Sequence, residues 1–136
     1  MTPVDIIFNK FLHFIDDIEL SLLEDEDIED MLYQYLENAT VSFYECKKSL
    51  KIVDDAIEDE LDLDEIYILA LCMVQFWLSP KIKREENLRQ MMNDRDFKQV
   101  SNANMLNRLL GLDKTVKEEI KIYKQRYAFK SFKGFD

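Results

Sequence analysis

Glycine and proline are scarce in this chain. Its 136 residues include two of each. β-Sandwiches and barrels need many turns, and turns draw on these two residue types. Phosphate-binding and dinucleotide-binding loops need several glycines close together, whereas the glycines here are Gly111 and Gly134. The scarcity therefore predicts an all-α fold of a few long helices and excludes the common nucleotide-binding loops.

Side chains that bind metals or act as nucleophiles with a base are also few. His13 is the only histidine, and Cys46 and Cys72 lie far apart, so they do not have the spacing of a zinc site. The aspartates of residues 59–64 are spaced like calcium ligands, but the glycine of an EF-hand loop is missing. No nucleophile–base pattern is present. We therefore expect no enzyme activity, no metal and no cofactor, and we expect both cysteines to be buried free thiols.

Acidic and basic residues are divided between the two halves of the chain. The net charge is −10. Residues 1–65 contain 20 acidic and 4 basic side chains, whereas residues 66–136 contain 8 acidic and 14 basic ones. This division predicts separate acidic and basic faces, which can join subunits head to tail or select partners. The acidic total argues against nonspecific binding of duplex DNA.

The most apolar stretch, Leu61 to Pro80, predicts the central helix. A helix that is apolar almost all round is normally buried. The continuous apolar block within this stretch, Ile66 to Leu78, is about two thirds of what a membrane span needs. Asp62 and Glu65 have the spacing of a capping box, and Pro80 disfavours helical angles in the residue before it. We therefore predict a core helix over residues 63–78 that buries Ile66, Leu69, Met73, Phe76 and Trp77.

Periodicity predicts further helices, giving a bundle of four to five. The first begins at a Thr2-Pro3 cap and ends near Asp16, and the second covers about residues 27–50. A short amphipathic helix follows Pro80, and a last long helix begins at Ser101 or Asn102. The apolar positions of this last helix follow a heptad-like spacing: Met105, Leu109, Leu112, Val116, Ile120, Tyr123 and Tyr127.

The end of the chain alternates aromatic and basic residues and loses the helical period. Exposed phenylalanines are costly and disordered ends are normally polar, so this segment either folds back on the bundle or docks on another protein. We favour docking, because the interleaved lysines suit the chain's own core poorly. We predict a bundle domain over residues 1–127 and an extended docking arm over 128–136, with the partner-binding residues Tyr127, Phe129, Lys130, Phe132, Lys133 and Phe135.

Four motifs in the second half resemble those of a known family. They are Trp77-Leu78-Ser79-Pro80, Asp94-Arg95-Asp96-Phe97, Ser101-Asn102-Ala103-Asn104, and a tyrosine near the end of the last helix, Tyr123 or Tyr127. In this order they resemble small helical proteins encoded among the virion morphogenesis genes of tailed phages that infect Gram-positive bacteria. The similarity covers about half of the chain, and the acidic first half matches only in character.

The resemblance implies a head–tail connector, also called an adaptor, head completion or neck protein. Such proteins are helical bundles that assemble beneath the portal protein as a ring, usually of twelve copies, and grip the portal with a C-terminal arm. The implied protein is a structural part of the virion neck, made in the host bacterial cytoplasm, that contacts the portal and further neck or tail proteins. Viral DNA would pass through its channel without specific binding, and no membrane is involved.

The acidic composition leaves a second function open. Clustered carboxylates can stand in for phosphates, so the chain is also compatible with an acidic regulatory binding protein, such as an inhibitor of the DNA-mimic type. The basic second half of the chain weighs against this alternative.

Overall fold

Four helices and a small sheet make up the described part of the chain. The computed structural model describes residues 1–15, 25–91 and 102–133, of which 25–26, 102–103 and 131–133 are described as backbone only. In chain order the elements are β1 (Thr2–Pro3), α1 (Val4–Phe14), α2 (Asp25–Ser42), β2 (Ile52–Val53), β3 (Ala56–Ile57), α3 (Leu63–Met91) and α4 (Asn102–Lys133). The predicted all-α bundle with a long C-terminal helix is confirmed.

Helix α3 is the centre of the bundle, because the other three helices all pack on it. Of the five core residues predicted for it, Phe76 is half-buried and the other four are buried. Helix α4 lies antiparallel to α3. Two contacts near the start of α3 show this direction. The Tyr67 and Tyr123 ring centroids are 4.7 Å apart, and the earlier Asp64 pairs with the later Lys130.

The start of α3 is fixed by the predicted capping box. The Glu65 N–H donates to Asp62 Oδ1 at 2.9 Å, and the Asp62 N–H donates to Glu65 Oε1, also at 2.9 Å. Two amide donors near the helix start are thereby satisfied reciprocally. Leu61 and Ile66 flank the box and are both buried, as a hydrophobic staple requires. The sequence pattern therefore located this helix start correctly.

Pro80 does not end the helix, contrary to the prediction. Helix α3 continues for eleven residues beyond it, so the expected separate short helix is the second half of α3. Proline removes one helical hydrogen bond and crowds the preceding turn. Ser79 and Pro80 are both exposed, and the Ser79 hydroxyl donates to the Gln75 carbonyl at 3.1 Å. The distortion caused by Pro80 therefore lies on the solvent-exposed side of α3, while the opposite side of α3 packs against α4.

The acidic connection before α3 contains a β-hairpin that was not predicted. Strands β2 and β3 pair antiparallel, and β1 adds to the other edge of β3. The turn residues Asp54 and Asp55 have φ of 49° and 63°, as a two-residue hairpin turn of type I′ needs. Thr2 belongs to this sheet and is not a helix cap: its hydroxyl donates to the Asp59 carbonyl and accepts from the Leu61 N–H.

Helix α2 ends at Ser42, earlier than the predicted Leu50. The following residues bond to other elements instead of to the helix. The Lys47 N–H donates to the Tyr127 hydroxyl at 2.8 Å, and the Ser49 N–H donates to Asp59 Oδ2 at 2.7 Å. These tertiary partners replace the helical ones in this loop, so the apolar period that continued past Ser42 did not mark a helix.

Helix α3 also has the length and composition of a membrane-spanning helix, and 61% of its apolar window is buried inside the bundle. Burial on this scale is what the core helix of a bundle shows.

The capping box makes a quantitative prediction. Replacing Asp62 by Ala should lower the free energy of unfolding by about 1 kcal/mol, because the Glu65 N–H loses its acceptor. Urea unfolding measures the change, and Glu58→Ala is the matched control, because Glu58 is an exposed carboxylate in the same acidic segment. Equal losses in the two variants would contradict the capping role.

Candidate functional site

A buried carboxylate connects three segments of the chain. The Glu65 side chain is 1% exposed. Lys48 Nζ lies 2.8 Å from Oε1, the Tyr127 hydroxyl donates to Oε2 at 2.8 Å, and the Cys46 thiol lies 3.6 Å from Oε2. Together with the Asp62 N–H described above, these donors satisfy both oxygens. The cluster joins the start of α3, the loop after α2 and the end of α4.

Tyr127 is placed in the bundle itself, although the sequence suggested a role in partner binding. Its ring packs edge-on against Phe43 with centroids 5.2 Å apart, and the whole residue is buried. Its hydroxyl accepts from the Lys47 N–H and donates to Glu65. Tyr127 therefore fastens the C-terminal part of α4 to the body of the protein.

The protonation states in this cluster suit a structural role. Burial by itself would raise the pKa of the Glu65 carboxyl, but the hydrogen bonds from Lys48, Asp62 and Tyr127 outweigh it and hold that pKa below its ordinary value. The hydrogen bond to Glu65 raises the pKa of Lys48. Burial raises the pKa of the Cys46 thiol, which is the opposite of what a nucleophilic cysteine requires. Glu65 and Lys48 therefore both stay charged near neutral pH, as a structural ion pair does.

Beyond Tyr127, α4 remains helical to Lys133. The predicted change to an extended arm at residue 128 is therefore wrong for residues 128–133, and residues 134–136, with Phe135, lie outside the described residues. Lys130 Nζ forms an ion pair with Asp64 Oδ2 at 2.7 Å, and Phe129 is 59% exposed. Phe132 and Lys133 are helical, with only their backbone described.

Phe129 shares one face of α4 with an earlier apolar residue. Ile122 is seven positions before it, and the two lie on the same side of a helix. Both are exposed, and they lie opposite the face on which Val116, Ile120 and Tyr127 are buried. The predicted seam is only partly confirmed, because two of its first three members, Met105 and Leu112, are exposed.

A cleft of about 490 Å³ opens between α1, α3 and α4. Its floor is apolar and includes Ile15, Trp77 and Leu109. Its polar lining consists of three cationic side chains and one acidic one: Lys81, Arg84, Arg108 and Glu85. The Lys81 ammonium lies 5.1 Å from the centroid of the Trp77 ring, a cation–π distance. An apolar floor with a cationic rim suits an apolar group that carries or adjoins negative charge.

Acidic and basic residues are segregated along α3 and the segment before it. Residues 54–65, which hold β3 and the start of α3, contain eight acidic side chains and no basic one. The second half of α3, residues 81–91, contains four basic and two acidic side chains. We call these the acidic end and the basic end. The predicted division of charge holds along α3 itself, but other segments bring basic side chains to its acidic end, where Lys48 pairs with Glu65 and Lys130 pairs with Asp64.

Sequence reasoning did not single out the residues around the cleft. Trp77 was predicted as core, and Arg84 and Arg108 were part of a general basic half. The helical periodicity indicated where each residue lies on its own helix, but the register between α3 and α4 was needed to show that these residues line one cleft. Among the described residues, no group of three or more histidine, cysteine or carboxylate side chains is arranged to hold a metal ion, and both cysteines are free thiols.

Comparison with known proteins gives no match: no family model, curated protein or solved structure is similar to this chain.

The Tyr127 hydroxyl can be tested by removing it. Tyr127→Phe should lower the free energy of unfolding by about 1–3 kcal/mol, because the Lys47 N–H loses its acceptor and Glu65 loses a donor. Tyr44→Phe is the matched control, since the Tyr44 side chain is 82% exposed. Urea unfolding at neutral pH measures both. An effect no larger than that of the control would contradict the fastening role.

The lowered pKa of Glu65 predicts an acid-sensitive contribution. A carboxyl whose folded-state pKa lies below its unfolded-state value stabilises the fold above the unfolded-state pKa, about 4.3, and this contribution is lost as pH falls through the folded-state pKa. The stability difference between the parent and Glu65→Gln should therefore stay constant from neutral pH to about pH 5 and shrink below it. Urea unfolding at a series of pH values measures this, and a difference that does not change with pH would contradict it.

Proposed function

We propose that this chain is a structural head–tail connector of a tailed phage. It joins the portal protein to the neck and tail as a ring of twelve copies, and viral DNA passes through the channel without specific binding. The site of action is the virion neck, after synthesis in the host bacterial cytoplasm. The motif resemblance in residues 75–110 supports the family, and the four-helix bundle is compatible with it.

The observation that carries the proposal is the C-terminal end of α4. Tyr127 and Lys130 hold this end against α3, yet Phe129 remains 59% exposed between them. A large aromatic side chain on a rigidly held helix is a favourable anchor for binding, since little conformational freedom is lost when a partner covers it. We therefore assign portal contact to the last turns of α4, which replace the extended arm expected from the sequence.

The alternative function, an acidic inhibitor that mimics DNA, draws support from the eight carboxylates of the acidic end. Several of them have structural partners. Asp55 accepts from the Tyr33 hydroxyl, Asp59 accepts from the Ser49 N–H, and Asp62 caps α3. Carboxylates used in this way organise the loop and are less available to imitate a row of phosphates, so the connector is the better supported function.

The portal contact is tested with one substitution on α4. Phe129→Ser should weaken co-sedimentation with the portal protein of the same virus by at least about tenfold, a loss of about 1.4 kcal/mol. It should lower the melting temperature only slightly, because the side chain is 59% exposed. The matched control is Leu110→Ser, which removes another exposed apolar side chain from the opposite end of α4.

The outcomes separate the two functions. Unchanged portal binding by Phe129→Ser, or equal losses in the two variants, would contradict the assigned surface. A parent chain that ignores the portal and instead binds a basic DNA-binding enzyme as a monomer or dimer would favour the inhibitor.

A further inference from the structure

The last turns of α4 are fastened at two points to the first turn of α3. The Tyr127 hydroxyl donates to Glu65 Oε2 at 2.8 Å, and the Lys130 ammonium donates to Asp64 Oδ2 at 2.7 Å. The two acceptors are consecutive residues, and the capping box between Asp62 and Glu65 fixes the turn that carries them. The end of α4 is therefore attached to a backbone segment that is itself held in place.

Lys130 and Phe129 point in different directions from α4. Successive residues of a helix are turned by about 100° from each other, so a Lys130 side chain that reaches Asp64 points towards α3. Phe129 is 59% exposed and is turned by about 200° from Tyr127, which packs against Phe43. A partner protein that covers Phe129 therefore meets a different side of α4 from the one on which Lys130 lies.

The helix beyond Tyr127 depends on such a fastening. Residues 128–133 follow Tyr127, the last residue of α4 described as buried, and make fewer than two helical turns. Helix ends open easily, and a segment this short is only marginally helical unless tertiary contacts hold it. Of the side chains described after Tyr127, Lys130 is the polar one, and its partner lies on α3. The ion pair is thus well placed to keep the helix end formed.

We propose that Asp64 and Lys130 are positioning residues for partner binding: their ion pair keeps the last turns of α4 helical and thereby presents Phe129, while neither residue contacts the partner. This deepens the proposed function and rests on it, because the partner is the portal protein. It assigns a role in binding to Asp64, which lies on a different helix from the binding surface, and it replaces the direct contact that the sequence suggested for Lys130.

Positioning has a measurable consequence for affinity. When only a fraction of the molecules is in the conformation that binds, the apparent affinity is lowered by that fraction. A partner that meets a helix end already formed also loses less conformational freedom on binding. Breaking the ion pair lowers the population of the formed end and leaves the side chains of the binding surface unchanged. Loss of affinity through positioning can therefore be separated from loss of a contact.

Reversing and then exchanging the two charges tests the proposal. Lys130→Asp and Asp64→Lys each replace attraction by repulsion, and the double variant restores an ion pair in the opposite sense. Each single variant should weaken co-sedimentation with the portal protein by about threefold or more, and the double variant should recover most of that loss. A double-mutant cycle isolates the effect of the pair, since Asp64→Lys alone also removes a favourable charge from the start of α3.

A second measurement does not involve the portal protein. Amide hydrogen exchange at residues 128–133 should become faster in each single variant and return towards the parent rate in the double variant, because exchange reports local opening of the helix end. Lys121→Asp is the matched control on α4, since Lys121 is exposed and forms no ion pair within the described part of the chain. Glu58→Lys is the control at the acidic end, where Glu58 is exposed. Both controls should exchange like the parent at residues 128–133.

The outcomes separate positioning from direct contact. Loss of portal binding in Lys130→Asp that the exchange of charges does not recover would assign Lys130 a direct contact and overturn the proposal. Exchange rates at residues 128–133 that match the parent in both single variants would overturn it as well. A parent chain that does not bind the portal protein would contradict the proposed function and with it this role in binding. Portal binding without recovery in the double variant would contradict the positioning role alone.

Discussion

The structure depends on the requirement that a buried carboxylate be paired. A charge removed from water is costly unless an opposite charge and hydrogen-bond donors surround it. Glu65 meets this requirement by drawing Lys48 and Tyr127 to itself from distant parts of the chain. Removing one partner leaves the buried carboxylate with a donor missing, so the loop after α2, the start of α3 and the end of α4 are stabilised in one arrangement together.

This arrangement has consequences for the surface. Because Tyr127 is held inside, the residues that follow it on α4 are held in register with the start of α3, and Lys130 reaches Asp64. Phe129, between these two contacts, then faces solvent. The buried Tyr127 hydroxyl thus determines which aromatic side chain of this helix end is left exposed, which explains why Tyr127 became core and Phe129 remained outside.

The length of α3 has a separate consequence. Its acidic start and its basic second half lie far apart on one helix, and at the start Asp64 pairs with Lys130 of α4. The acidic end includes the exposed Leu63, and the basic end includes the cleft floored by Trp77. Pro80 does not divide the helix, so these surfaces stay on one rigid element.

The sequence alone determined features that depend on near neighbours: the all-α class, the Asp62–Glu65 capping box and the buried side of α3, because caps and apolar periods act within a few residues. Tertiary structure decided the features that depend on distant partners. Packing against α4 allows α3 to continue past Pro80. After Ser42 the chain leaves the helix, because Tyr127 and Asp59 accept hydrogen bonds from the backbone N–H groups of the loop. The cleft arose in the same way, since its residues are brought together by the register of two helices, and no local pattern encodes that register.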